Sequence, residues 1–389
     1  MIRDSDTKDC SLQKVLDYHA ASKHAFQHFA NGPGYLDWDT QPDPFRRYDG
    51  VRIITLETCP VAEAKPAMNS VLYDEAFIPG RIASTALDAQ FISRLFFDSM
   101  AISAWKVAGS SRWALRVNPS SGNLHPTEAY LICGPVEGLS ASPMVCHYRP
   151  LEHALEVLAA FDTTLWKNLC AGFPDNTVFV ALTSIHWREA WKYGLRAYRY
   201  CQHDTGHAIG AVSIAAAGMG WQARILDDLG TEELAWLTGT FRAHDAEREE
   251  PDLLLALCPC DSDMRATGLP AESIQTFRSL VWHGQPNRLS SSHIEWGIEK
   301  IAEAARKPRT ANMHAAWHAL PTPILPEIRA TALRKIIHQR RSAVDMDGVT
   351  RLSRNAFFHI LQKTLPISGA APFQALPWSP HIHLAIFVH

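Results

Sequence analysis

The sequence predicts an α+β fold: one central, mostly antiparallel or mixed sheet with helices on both faces. Three observations predict it. Short apolar runs at residues 128–133, 145–149, 178–183, 222–226 and 253–258 read as strands. The first two are close enough for a hairpin, whereas helical stretches separate the others, the longest being 187–219. The composition, 47% hydrophobic and 20% charged over 389 residues, supplies a substantial core.

Taken in order, Ser11 to Phe29 reads as a helix through Leu12, Val15, Leu16, His19, Phe26 and Phe29, stopped by Asn31-Gly-Pro-Gly34. His24 and His28 would then lie one turn apart; such a pair commonly sits on a solvated face. Residues 36–45 are extended and punctuated by proline, as in a segment that wraps a surface. Asp88 to Ala108 reads as helical, with Phe91, Leu95, Phe96, Met100 and Ile102 on its apolar side. Pro251 to Pro259 closes the sheet. Ala271 to Lys307 reads as further helix, with Ile294, Ile298 and Ile301 at helical spacing. Residues 307–326 carry several prolines and read as a linker. Two helices follow, Glu327 to Arg341 and Ser353 to Leu365. His381 to His389 reads as a strand with no visible remainder of a sheet. The expected organisation is an arm at 1–60, a main domain at 61–265, a helical extension and linker at 266–327, and an incomplete second domain at 328–389.

A net charge of −3 and a pI near 6.7 offer no basic surface for nucleic acid. The polar start lacks an apolar signal core, and the most apolar run, 207–221, is too short to span a bilayer, so a cytoplasmic location is expected. The eight cysteines are scattered; Cys258-Pro-Cys260 is the one close pair and has no partner pair at zinc-site spacing, so no metal is expected. There is no nucleophile elbow, phosphate loop or dinucleotide fingerprint.

Four segments remain that suit chemistry. Arg116-Val-Asn-Pro-Ser-Ser-Gly-Asn123 is a polar loop ahead of a strand. Pro119 stiffens it, Gly122 permits close approach, and Ser120, Ser121 and Asn123 add small hydrogen-bonding groups. It suits a flat, polar-edged ligand, and equally an ordinary turn. Arg340-Arg341-Ser342 joins two rigid, always-charged forks to a hydroxyl, a set that holds phosphate; it also suits a basic helix end. Lys192, Arg196 and Arg199 are near helical spacing, as are Tyr193 and Tyr200, and read as an amphipathic helix with a basic exposed face. Adjacent helical residues diverge by about 100°, so Lys192 and Tyr193 can face one target only where the helix is irregular. Residues 204–220 are rich in Gly and Ala, as in a tightly packed central helix ending near Gly218 or Gly220; His207 there is open to a ligand or a buried structural role.

These segments together resemble the nitroreductase superfamily, in particular its SagB/McbC-type dehydrogenases. The resemblance implies a nitroreductase-like fold and an FMN cofactor, with NAD(P)H, where used, entering transiently. It implies that Arg116 and the Pro119–Asn123 loop line the flavin ring, that Arg340, Arg341 and Ser342 bind its phosphate, and that Lys192 and Tyr193 serve acid–base chemistry on a small-molecule or modified-peptide substrate. In that family the two flavin-binding elements come from different subunits of a dimer. Here both lie in one chain, so the resemblance implies an intrachain pseudo-dimer or a homodimer. The rival expectation is an inactive scaffold or partner subunit in a larger complex.

Overall fold

The computed structural model describes residues 3–59, 61, 70–243, 245, 247–264, 266, 268–310, 330–367 and 369–387. Its centre is a seven-stranded sheet in the order Arg52–Thr55, Ala154–Ala160, Met144–Arg149, Thr127–Cys133, Val178–Ser184, Glu250–Pro259, Trp221–Ile225. Every pairing is antiparallel. The expected hairpin is thus the 127–133 and 144–149 pair, and all five expected strands are present.

Why these runs became central strands is visible in their burial. Thr127–Cys133 and Val178–Ser184 are buried at every position. Successive side chains point to opposite faces, so each run must be apolar on both. One face, carrying Ala129, Leu131, Val178, Val180, Leu255 and Leu257, packs on Phe91, Ile92, Leu95 and Phe96 of the Ala89–Phe97 helix and on Ala208, Val212 and Ala216. The other, carrying Tyr130, Ile132, Phe179, Ala181 and Leu254, packs on Leu165, Leu234, Leu237, Ile274 and Phe277. Burying one such large side chain stabilises by about 1.5–3 kcal/mol.

Several elements differ from expectation. The first helix runs Arg3–Ala21, not to Phe29. Its predicted continuation is irregular, His24 Nδ1 accepts from the Ala30 amide, and the His24/His28 pair does not share a helical face. The 88–108 stretch is a helix only to Phe97; Ile102–Ala108 then pairs with Ser111–Arg116 as a separate two-stranded hairpin. The 187–219 stretch is two helices, His186–Tyr193 and Ala197–Ala217, broken at Gly194. Between 271 and 307 only Ala271–Thr276 and Ile298–Ala304 are α-helical. The two late helices shorten to Leu333–Gln339 and Arg354–Gln362. Residues 381–387 form no strand, and 388–389 lie outside the described residues, as does most of the expected linker.

The late helices pack on the main body. Leu333 joins Ala76, Phe77, Ala217 and Ala371 in one apolar cluster. Its amide donates to Val71 O, and Arg334 and His338 both reach the buried Asp98 carboxylate, at 2.7 and 2.8 Å. His359 meets Asp74 at 3.0 Å. Close packing on the glycine-rich segment is at its end: a Cβ on Gly220 would lie 2.4 Å from the backbone oxygen of Ala83 and one on Gly218 2.4 Å from the Leu333 side chain, whereas a Cβ on Gly206 or Gly210 would have nothing within 4 Å.

A buried ionic chain threads the 127–133, 144–149 and 154–160 strands. His147 lies 3.0 Å from Glu128 and 2.8 Å from Glu156, Glu128 also pairs with Arg188, and Arg149 reaches Glu156 at 3.2 Å. Burial pulls the His147 pKa down, but hydrogen bonds to the two carboxylates outweigh it and raise the value to about 9. A histidine pKa raised on folding contributes stability that is complete below the unfolded value of about 6.5 and is lost as pH rises through the folded one. The urea midpoint of the protein should therefore fall between neutral pH and the region above 9, and His147→Gln should flatten that fall. Equal slopes in the two proteins would exclude His147 as the cause.

Candidate functional site

The 116–127 loop sits over the helical break at Gly194. Its backbone is unusual: Gly122, Asn123 and His125 all adopt positive φ, at 60°, 61° and 52°. For the two non-glycine residues that conformation is uncommon, and local bonds hold it. Asn123 Nδ2 donates to Ala114 O at 2.9 Å, His125 Nε2 meets Asn123 Oδ1 at 3.0 Å, and the His125 amide donates to Ser120 Oγ at 2.8 Å. Ser121 donates its amide and its hydroxyl to Asp204, at 3.0 and 3.1 Å. Pro119 lies between this bonded section and the buried Asn118.

Lys192 and Tyr193 meet this loop. A Cβ built on Gly122 would lie 2.5 Å from Tyr193 Oη and 3.1 Å from Lys192 Nζ. A side chain there would have to displace both ends, and the positive φ at this position itself favours glycine. The pair converges because the helix stops: Tyr193 has left helical geometry, at φ −113° and ψ 1°, and Gly194 turns away at φ 52° and ψ −123°. The irregularity that a shared target requires is therefore present. Gly194 is itself forced, since a Cβ there would lie 2.9 Å from Gly32 Cα. Burial, with Glu189, Tyr200 and Asp204 nearby, pushes the Tyr193 hydroxyl up to about 12. At neutral pH Tyr193 is a proton donor.

Arg340 also reaches the loop. Its guanidinium donates to Val117 O at 3.2 Å, two residues before Pro119, and partial burial and the Arg341 charge lower its pKa. Arg341 donates to His338 O at 2.8 Å, and Ser342 is exposed. Arg116 is different. It is buried, donates to Thr127 O and Pro44 O, and is held down to about 10 by that burial. Its guanidinium supports the loop from below instead of presenting to a ligand on the open side. His207 is half-exposed, 3.9 Å from Asp204, and so is not a buried structural histidine.

Sequence reasoning missed three residues here. His125 is buried and its pKa lies well below normal, first through desolvation and then through Arg116 and Arg188. Asp204 ties the loop to the long helix. Glu189 is fully buried one turn before Lys192. The i,i+3 and i,i+4 spacing of Glu189 to Lys192 and Tyr193 was the available signal.

Unsatisfied polar atoms gather at this loop. Arg116 Nε, Asn118 Oδ1, His125 Nδ1, Thr127 Oγ1, Arg188 Nη2 and both Glu189 oxygens have no hydrogen-bond partner among the described residues. Buried polar groups are ordinarily satisfied, so the concentration marks a place completed by water or ligand. With two arginines and a hydroxyl at 340–342, the donor set fits an anionic, polar-edged cofactor. Among the described residues no group of three or more His, Cys, Asp or Glu gathers as a metal site, and no helix is long and apolar enough to cross a membrane.

Comparison with known proteins accords with this architecture. Residues 101–240 match the sequence model of the nitroreductase family. A crystal structure named as a nitroreductase from Anabaena variabilis ATCC 29413 is 20% identical, with a TM-score of 0.58, over 86% of this chain and 64% of that one. This chain thus spans less than two thirds of that protein. A protein named as a nitroreductase from Ralstonia eutropha JMP134 is 16% identical over 58% of this chain and 95% of that one, with a TM-score of 0.37. The E. coli microcin synthetase McbBCD complex with truncated pro-MccB17 bound gives 22% identity over 54% and 85% of the two chains, with a TM-score of 0.37. No curated protein matches. The fold is nitroreductase-like, and the loop, the Lys192–Tyr193 pair and the Asp204 helix all fall inside the stretch that matches the nitroreductase family.

Proposed function

We propose that this chain is an FMN-dependent oxidoreductase of the SagB/McbC type, acting on a small-molecule or peptide-borne substrate. One observation carries the reading: residues from three distant parts of the chain, Gly122, Lys192–Tyr193 and Arg340, meet around one loop. FMN, when bound, supplies hydride exchange with the substrate. The protein's part is to bind, orient and move protons. Pro119 to Asn123 present main chain and small polar groups to the flat ring. Arg340, Arg341 and Ser342 provide charged forks and a hydroxyl for the phosphate. Both elements belong to one chain, so a composite, pseudo-dimeric site is part of the proposal. Tyr193, protonated at neutral pH, donates a hydrogen bond or proton to a substrate heteroatom. Lys192 is the candidate partner for the proton that leaves the substrate. NAD(P)H is a candidate transient reductant. A chain acting as an inactive scaffold is the alternative.

A single experiment separates these. The purified protein should carry, or take up, a yellow chromophore that releases FMN on denaturation; a colourless protein that ignores added FMN sinks the enzyme reading. Arg340→Ala combined with Ser342→Ala should weaken FMN binding by about tenfold or more, since a hydrogen bond to a charged group contributes roughly 1.5–3 kcal/mol. Fluorescence titration measures this, and unchanged affinity would reject the composite site.

A further inference from the structure

The edge strand Trp221–Ile225 alternates strictly. Trp221, Ala223 and Ile225 are buried in the core, whereas Gln222 and Arg224 between them are half-buried. A charged side chain on an edge strand ordinarily stands in water, where it discourages pairing with another chain. Here the chain builds a wall around it. Gln222 and Arg224 line a cavity of about 440 Å³, closed along this edge by parts of the 76–82 and 369–377 segments. The second wall is pinned by Ala375, which is fully buried in the core. Among the described residues lining the cavity Arg224 is the one cation, and there is no Asp or Glu. The Arg224 guanidinium and the Gln374 amide across from the strand have no hydrogen-bond or ion-pair partner among the described residues. Gln222 is fixed, its Nε2 donating to Ser262 O at 3.2 Å. Cys260 adds a thiol that burial, with Asp261 nearby, keeps protonated at neutral pH. A walled space thus holds one uncompensated positive charge, and such a space concentrates anions.

We propose that this cavity binds a small molecule with one carboxylate and an apolar body, the carboxylate pairing with Arg224. One guanidinium with no second cation matches a monoanion, and its planar fork matches the two oxygens of a carboxylate. A phosphate dianion would call for more positive charge than the lining holds. Ile78, Ile82 and Leu376 supply apolar wall for the rest of the molecule. The volume falls in the range of small-molecule sites, roughly 300–1,000 Å³. The site is separate from the Gly122 loop. Asp204, which holds that loop, and Ala217, at the cavity, lie thirteen residues apart on one helix, about 20 Å at 1.5 Å per residue. Neither flavin nor the Lys192–Tyr193 pair enters. Residues 369–377 follow Arg340 in the late part of the chain, so an occupant fastens that part to the sheet edge.

Cys260 is the reporter. Its alkylation by iodoacetamide in the full chain is followed by mass spectrometry, with the exposed Cys10 as internal reference, in the presence of hexanoate, hexanamide or inorganic phosphate. Hexanoate should slow alkylation of Cys260 and leave Cys10 unchanged. Hexanamide has the same body without the charge and should need a concentration higher by about tenfold or more, the effect of losing a hydrogen bond between charged groups. Arg224→Met should abolish this preference for the acid. Equal protection by acid and amide overturns the proposal, as does an acid preference that survives in Arg224→Met. Protection by phosphate at a lower concentration than hexanoate needs overturns the carboxylate class. Absence of protection by hexanoate up to roughly 10 mM, tenfold weaker than a millimolar site, overturns it altogether. The comparison of acid with amide is made on the unmodified protein, so it decides the matter even where the variant fails to fold.

Discussion

Lys192→Met is expected to reduce turnover by about 100-fold or more while the protein keeps its flavin. General acid–base groups contribute roughly 10²–10⁴-fold, and the Lys192 amine reaches the Gly122 loop. Methionine keeps the length and packing of the stem and removes the amine, so the loss reads chemistry and not collapse. Flavin content by absorbance and turnover with a nicotinamide-reduced acceptor measure the two quantities separately. Tyr193→Phe should fall less far, because its hydroxyl, pushed up to about 12, acts as donor and not as base at neutral pH. Full activity of Lys192→Met would remove the pair from the mechanism.

The largest stability effect is expected at Arg188. Its side chain is fully buried, pairs with Glu128, and donates to His125 O at 2.7 Å and Asp43 O at 3.1 Å. It ties the wrapping arm, the loop and the sheet together. The Arg188 charge is also a leading influence that holds the Glu128 carboxyl down to about 2 against its burial. Removing one member of a buried ion pair costs about 3–5 kcal/mol by leaving the other under-compensated, here with His147 still 3.0 Å from Glu128. Against a total stability of roughly 5–15 kcal/mol, Arg188→Met should bring the protein close to unfolding at ordinary temperature. Arg188→Met combined with Glu128→Gln should recover part of the loss, since the under-compensated charge is then gone. Chemical denaturation of the three proteins decides it. A double variant no more stable than the single one would show that the hydrogen bonds to His125 O and Asp43 O, not the ion pair, dominate.

Much of the fold was legible because its central strands are buried on both faces. Such strands must be continuous apolar runs, and residues 128–133, 178–183 and 253–258 stand out as such. The missed strands lack that signal. Arg52–Thr55 is an edge strand with one half-buried position and the rest exposed. Ala154–Ala160 is made of Ala, Leu, Glu and Val, helix-compatible residues that become a strand through pairing on both sides. The Ile102–Ala108 hairpin is largely exposed, and the apolar spacing running on from Phe96 through Met100 to Ile102 mimics a helix across its start.

The candidate site divides the same way. By itself the sequence determined the central strands, the stiff Pro119–Gly122 loop and the residue types able to hold phosphate or move a proton, because those are local properties of composition and spacing. Only the tertiary structure decided that the helix breaks at Gly194, that Lys192 and Tyr193 both reach Gly122 some seventy residues away, that Arg116 faces inward and that Glu189 is buried without a partner. The physical reason is that convergence, burial and unmet hydrogen bonds are relations between segments. They come from how helices pack on the sheet, and no single stretch of chain contains them.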